Sequence, residues 1–95
     1  MITHVVLFKL TEPVADNTQA VAERLRSMEG QVAGLSSLTV GVDINRGPRA
    51  SDVCLITTHA DADALATYQA DAFHGEVKAF IGERSAGAAV VDFES

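Results

Sequence analysis

Residues 2–10, Ile-Thr-His-Val-Val-Leu-Phe-Lys-Leu, constrain the fold of this chain more than any other segment. β-Branched and aromatic side chains dominate them, as a pleated strand favours. Alternation places Ile2, His4, Val6, Phe8 and Leu10 on one face, and Thr3, Val5, Leu7 and Lys9 on the other. Both faces are apolar at the centre, the pattern of a strand covered on two sides. Ninety-five residues supply a single domain, residues 1–95, with one thin core. A chain of this size buries only ~60–65% of the surface its unfolded form exposes. Cover for the second face must therefore come from outside that core.

The rest of the chain reads as alternating elements. Asp16, Asn17 and Thr18 offer N-cap oxygens for a helix reaching about Glu29, with Val21, Leu25, Met28 and Val32 as its buried stripe. Gly30 or Gly34 stops it. Residues 38–44 alternate as a second strand, with Leu38, Val40, Val42 and Ile44 on one side. Asn45 to Arg49, around Gly47-Pro48, is a turn, and residues 51–59 form a third strand paired with the second as a hairpin. A short helix from Asp61 to Ala70 carries Leu65 and Tyr68 on one face. A further helix over 73–84 groups Val77, Phe80 and Ile81; Gly87 breaks it, and residues 88–93 make the last strand.

The order β-α-β-β-α-(α)-β is the split βαβ plan: a ferredoxin-like α+β fold, a four-stranded antiparallel sheet with helices on one face. Helices reach only one side of such a sheet. The apolar outer face of the first strand predicts a second sheet as its cover, and hence a homodimer closed as a dimeric α/β barrel. Burial of that face would gain about 25 cal/mol per Å² of apolar area.

Thirteen acidic against seven basic residues give a net charge of −6, which repels phosphate backbones and anionic lipid. No nucleic acid and no membrane are expected as partners. The beginning of the chain alternates instead of forming an apolar block, and no run approaches a membrane span, so the expected location is cytoplasmic. Cys54 is alone, which excludes a disulfide framework and a Cys-x-x-Cys site; its apolar surroundings predict a buried, inert thiol. His59 stands beside Asp61 and Asp63, but those acids suit a helix start and no second histidine is near, so no metal is expected. No glycine-rich phosphate loop occurs, and no cofactor is expected.

Several short stretches, in order and spacing, resemble the stress-responsive A/B barrel domain proteins. They are the opening Met1 to Leu10 with His4, Gly34-Leu35 leading to Val40-Gly41-Val42-Asp43, the run Tyr68-Gln-Ala-Asp-Ala-Phe-His74, and the closing Val91-Asp92-Phe93. The likeness spans essentially the whole chain and implies a dimeric α+β barrel. One branch of that family, the plant olivetolic-acid-cyclase type, closes a linear polyketide by an aldol step without a cofactor. There the tyrosine and histidine of the Tyr-x5-His motif are catalytic, matching Tyr68 and His74, and a first-strand histidine lines the pocket, matching His4. The chain departs from the motif at Ala72, where proline is usual, and at Asp71, where that cyclase has histidine.

The chemistry of these residues fits that implication. A histidine titrates near neutrality and can take and return a proton. A tyrosine hydroxyl can hold a carbonyl oxygen as enolate charge develops. His74 and Tyr68 are thus the catalytic candidates, with His4, Val6 and Phe8 as the substrate-binding face. Three readings stand at this level: a pocket binding a small hydrophobic carbonyl or aromatic compound, a cofactor-free cyclase (or, on the same barrel plan, a monooxygenase), and a structural stress-related dimer. In the last, Tyr68 packs its ring and His74 caps the following helix or bonds Tyr68.

Overall fold

A computed structural model describes residues 1–95. Strand β1, Ile2–Leu10, occupies an interior position in a four-stranded sheet ordered β2-β3-β1-β4. Helix α1 spans Val14–Arg26, β2 Ser37–Val42, β3 Val53–His59, α2 Ala62–Ala70, α3 Ala72–Gly82 and β4 Ser85–Glu94. All strand pairs are antiparallel, so the molecule has the ferredoxin-like α+β architecture.

The register places Asp92, His4 and Thr57 in one row across β4, β1 and β3, and Val90, Val6 and Leu55 in the next. These rows face the helices. Val6, Leu10, Val53 and Leu55 pack there against Val21, Leu25 and Met28, and against Tyr68, Val77 and Ile81. The stripe read from α1 is buried throughout, although Met28 and Val32 lie in the turns beyond its end.

The alternate rows make the opposite face. Val91, Val5 and Ile56 align across three strands, followed by Ala89, Leu7 and Cys54. No helix reaches them: Leu7, Val91 and Phe93 remain 41%, 61% and 46% exposed. Cys54 belongs to this face and is half-buried, not enclosed as expected, because the third strand presents its odd residues to the core. Gly41 lies opposite Cys54, and a Cβ there would stand 2.9 Å from the thiol sulfur.

Several element ends differ from the sequence expectation. Helix α1 begins at Val14, with Pro13 as its N-cap. Proline supplies the fixed φ of a helix entry. Asn17 is inside the helix, where its amide donates to the Thr11 carbonyl at 2.9 Å and ties α1 to the end of β1. Strand β2 stops at Val42, leaving Ile44 95% exposed. Strand β4 starts at Ser85, so Gly87 lies within it, opposite Lys9 and next to the register shift at Lys9/Leu10.

Asp52 locks the far end of β1. Its carboxylate accepts the Leu10 amide at 2.8 Å and pairs with Arg46 of the β2–β3 loop at 2.7 Å, while its own amide donates to the Phe8 carbonyl. The Leu10 amide, then Arg46, hold the Asp52 carboxyl below its ordinary pKa. A depressed carboxyl contributes stability above its unfolded pKa and loses it as pH falls through the folded value. Asp52→Ala leaves the Leu10 amide unpaired and should lower stability at pH 7 by ~1–3 kcal/mol. Urea unfolding should find that gap narrowing below about pH 4; a gap independent of pH would contradict this assignment.

Candidate functional site

Between the helices and the sheet lies a cavity of about 560 Å³, with ten hydrophobic residues among its sixteen lining residues. His4, Val6 and Phe8 line it from β1, and Leu55 from β3. All three β1 candidates therefore stand in one place, because strand alternation puts them on the face the helices cover. From above, Tyr68, His74, Val77 and Lys78 project from α2 and α3.

The break between α2 and α3 aims the two catalytic candidates. Asp71 is at once the C-cap of α2 and the N-cap of α3, and its carboxylate accepts the amides of Phe73 at 2.8 Å and His74 at 3.3 Å. It also accepts the Ala33 amide, which fastens the loop after α1 to this corner. Those amide bonds, from Ala33 first, lower the Asp71 pKa. The cap expected of His74 in a purely structural role is thus supplied by Asp71. His74 instead lays its ring on Tyr68, with centroids 4.4 Å apart.

Tyr68 is fully buried, and its hydroxyl finds no partner in good hydrogen-bond geometry, although the Thr57 side chain lies near enough to act on it. Burial raises its pKa to about 12, with the Thr57 hydroxyl opposing the shift. The group is therefore a neutral O–H donor throughout the physiological range. Nδ1 of His74 is also buried and unpartnered. Burial, and then the charge of Lys78, lower the His74 pKa, so its ring is neutral at pH 7. A leftover donor and a leftover ring nitrogen thus adjoin the same apolar cavity.

His4 is held by Asp92, its cross-strand neighbour on β4. The carboxylate accepts the Nδ1 proton and leaves Nε2 bare in the neutral ring. The His4 and Tyr68 ring centroids are 6.0 Å apart.

Two further residues, His59 and Gly34, support Tyr68. His59 is fully buried against Tyr68, with ring centroids 4.7 Å apart, and does not stand with Asp61 and Asp63. Its Nδ1 donates to the Gly34 carbonyl at 2.7 Å, and its Nε2 accepts the Thr57 hydroxyl at 2.8 Å. Asp61 caps α2 by accepting the Ala64 amide. No three His, Cys, Asp or Glu side chains are arranged to hold a metal ion. Carrying the alternation of β3 through Val53, Leu55 and Thr57 would have put His59 on the core face. Gly34 has φ +79°, and a Cβ there would lie 2.2 Å from the Ala64 carbonyl oxygen. Only glycine permits this approach, which seats α2 and with it Tyr68.

No helix is long and apolar enough to cross a membrane. Comparison with functionally curated proteins finds no match. Solved structures match over nearly the whole chain. A dimeric ferredoxin-like protein of unknown function from Thermobifida fusca superposes with a TM-score of 0.87 at 22% identity, covering 99% of this chain and 90% of that one. A dimeric protein of unknown function with a ferredoxin-like fold from Bacteroides fragilis gives 0.86 at 20% identity, covering 99% and 95%. An antibiotic biosynthesis monooxygenase gives 0.80 at 16% identity, covering 100% and 98%. At these identities the likeness is one of fold. The family model for the stress responsive A/B barrel domain matches residues 2–95. Spanning the elements that build both faces of the sheet and the corner that carries Tyr68 and His74, this match makes the chain a member of the stress responsive A/B barrel domain family.

Proposed function

We propose that the cavity binds a small hydrophobic carbonyl compound, with Tyr68 donating a hydrogen bond to the carbonyl oxygen and His74 acting as the base beside it. The observation that carries this reading is the pair of buried, unpartnered polar atoms, the Tyr68 hydroxyl and His74 Nδ1, on adjacent rings against an apolar cavity. Each forgoes ~1–3 kcal/mol if left without a partner. A ligand oxygen and a ligand proton are the partners their chemistry fits.

The reaction follows from those roles. Neutral His74 takes a proton from the carbon next to the carbonyl, and the C–H pair moves to form the enolate double bond. The negative charge develops on the oxygen that Tyr68 holds, and a fixed donor there is worth roughly 10²–10³ in rate. The imidazolium returns its proton to carbon, or the enolate attacks a second carbonyl of the same molecule, closing a carbon–carbon bond as that carbonyl's π pair moves to oxygen and the alkoxide takes the imidazolium's proton. His4, oriented by Asp92, stands across the cavity to steer the substrate. Val6 and Phe8 supply the apolar floor.

The reading includes a second copy of the chain. The exposed rows around Leu7, Val91 and Phe93 are too apolar for a surface that stays in water. Two solved structures of the same fold are described as dimeric, which supports pairing. The cytoplasm accords with the lone cysteine left unpaired.

Three outcomes follow. In D2O the protein should accelerate deuterium uptake at the methyl group of acetophenone, followed by NMR, and His74→Ala should reduce the rate ~10²–10⁴-fold. With His74 kept neutral by burial, that rate should hold as pH falls through 6.5 and drop only in more acidic buffer; exchange unchanged in His74→Ala would remove the base. Tyr68→Phe should slow exchange ~10²–10³-fold while leaving urea stability unchanged or higher, since it deletes an unpaired hydroxyl. A loss of ~1 kcal/mol in stability with exchange intact would make the hydroxyl a structural group. Leu7→Asp, on the open face, should shift sedimentation from a dimer to a monomer; a wild-type chain sedimenting as a monomer at micromolar concentration would contradict the pairing.

A further inference from the structure

The cavity lining carries one permanent charge. Lys78 lines it from α3, and no carboxylate does. The side chain is exposed and makes neither an ion pair nor a hydrogen bond with the protein. Asp71 is committed to the amides of the α2–α3 corner and Asp92 to His4. In a chain of net charge −6, an uncompensated cation at the one large apolar cavity is a selective feature. Its charge reaches the interior, where it depresses the pKa of His74.

His74 and Lys78 are four residues apart on α3, which puts their Cβ atoms about 5–6 Å apart on one face. Tyr68 is fully buried and Lys78 is exposed, so the lining runs from a neutral donor at its base to a cation at its mouth. Val77, Ile81 and Phe8 are among its apolar walls.

We propose that the ligand is an apolar keto acid, its carbonyl oxygen on Tyr68 and its carboxylate paired with Lys78 at the mouth. This rests on the carbonyl-pocket reading and adds the anionic end. Lys78 acts in binding and orientation, and the pair with a carboxylate at a half-open mouth is charge-assisted but screened by salt.

The probes are 3-benzoylpropionate and its neutral carboxamide, titrated calorimetrically against the intact protein at pH 8, where His74 is neutral with or without the charge of Lys78. The wild type should bind the acid ~3–10-fold more tightly than the amide. Raising salt should shrink that preference, and Lys78→Gln should abolish it without weakening amide binding. Equal affinity for the two probes in the wild type, or a preference that survives in Lys78→Gln, overturns the anionic end. The carbonyl pocket then still stands, provided that Tyr68→Phe weakens both probes. Failure of both probes to bind at millimolar concentration overturns the pocket reading together with the acid it was to hold. Lys78 is exposed on its helix, so loss of folding does not confound this variant.

Discussion

Strand β1 is apolar on both faces, and the architecture follows from the need to cover each. Helices α1, α2 and α3 cover the face of Val6 and Leu10, where each fully buried aliphatic side chain contributes ~1.5–3 kcal/mol. The same alternation that buries Val6 turns Val5 and Leu7 to the other side, where this chain has nothing left to place. A single nine-residue segment thus carries both the floor of the cavity and the surface that calls for a partner. Changes on one face leave the other in register, because side chains two residues apart share a face and neighbours never do.

On the covered face, polar groups are managed unevenly, and the unevenness falls on Tyr68 and His74. His59, Thr57 and the Gly34 carbonyl form a closed chain of donors and acceptors, and His4 is matched to Asp92. Buried polar groups are satisfied in this way as a rule. Tyr68 and His74 lie in the middle of these satisfied neighbours yet have no partner for the hydroxyl and for Nδ1. His59 packs on Tyr68 with both its nitrogens occupied, so it holds the ring in place without competing for the hydroxyl. Rigid surroundings and a free donor are what a binding or catalytic group requires.

Much of this was legible in the residues. The two faces of β1, the order of the elements and the pairing of the second and third strands follow from alternation and turn chemistry, which are local. Spacing and family likeness single out Tyr68 and His74 as candidates, strand phase singles out His4, and the fold brings the three to one cavity. Asp92 and His59 were not found, for reasons of range. Asp92 meets His4 only through the β1–β4 register, across 88 residues of chain. His59 was read with the acids that follow it, although its strand turns it inward while Asp61 starts a helix outside. Helix α1 starts earlier than a cap at Asp16, Asn17 or Thr18 would place it, because Pro13 and a tether from Asn17 to Thr11 take the place of that side-chain cap. The start of β4 was set too late because pairing with Lys9 keeps Gly87 in the sheet against its own propensity.

The central claim is that the Tyr68 hydroxyl and His74 Nδ1 are kept free for a ligand. A high-resolution crystal structure of the protein soaked with 3-benzoylpropionate tests it most directly. The account predicts the ketone oxygen within hydrogen-bond distance of the Tyr68 hydroxyl, with His74 Nδ1 beside the adjacent carbon. A cavity closed by its own side chains, with the Tyr68 hydroxyl donating to a protein acceptor and His74 Nδ1 bonded within the fold, would contradict it.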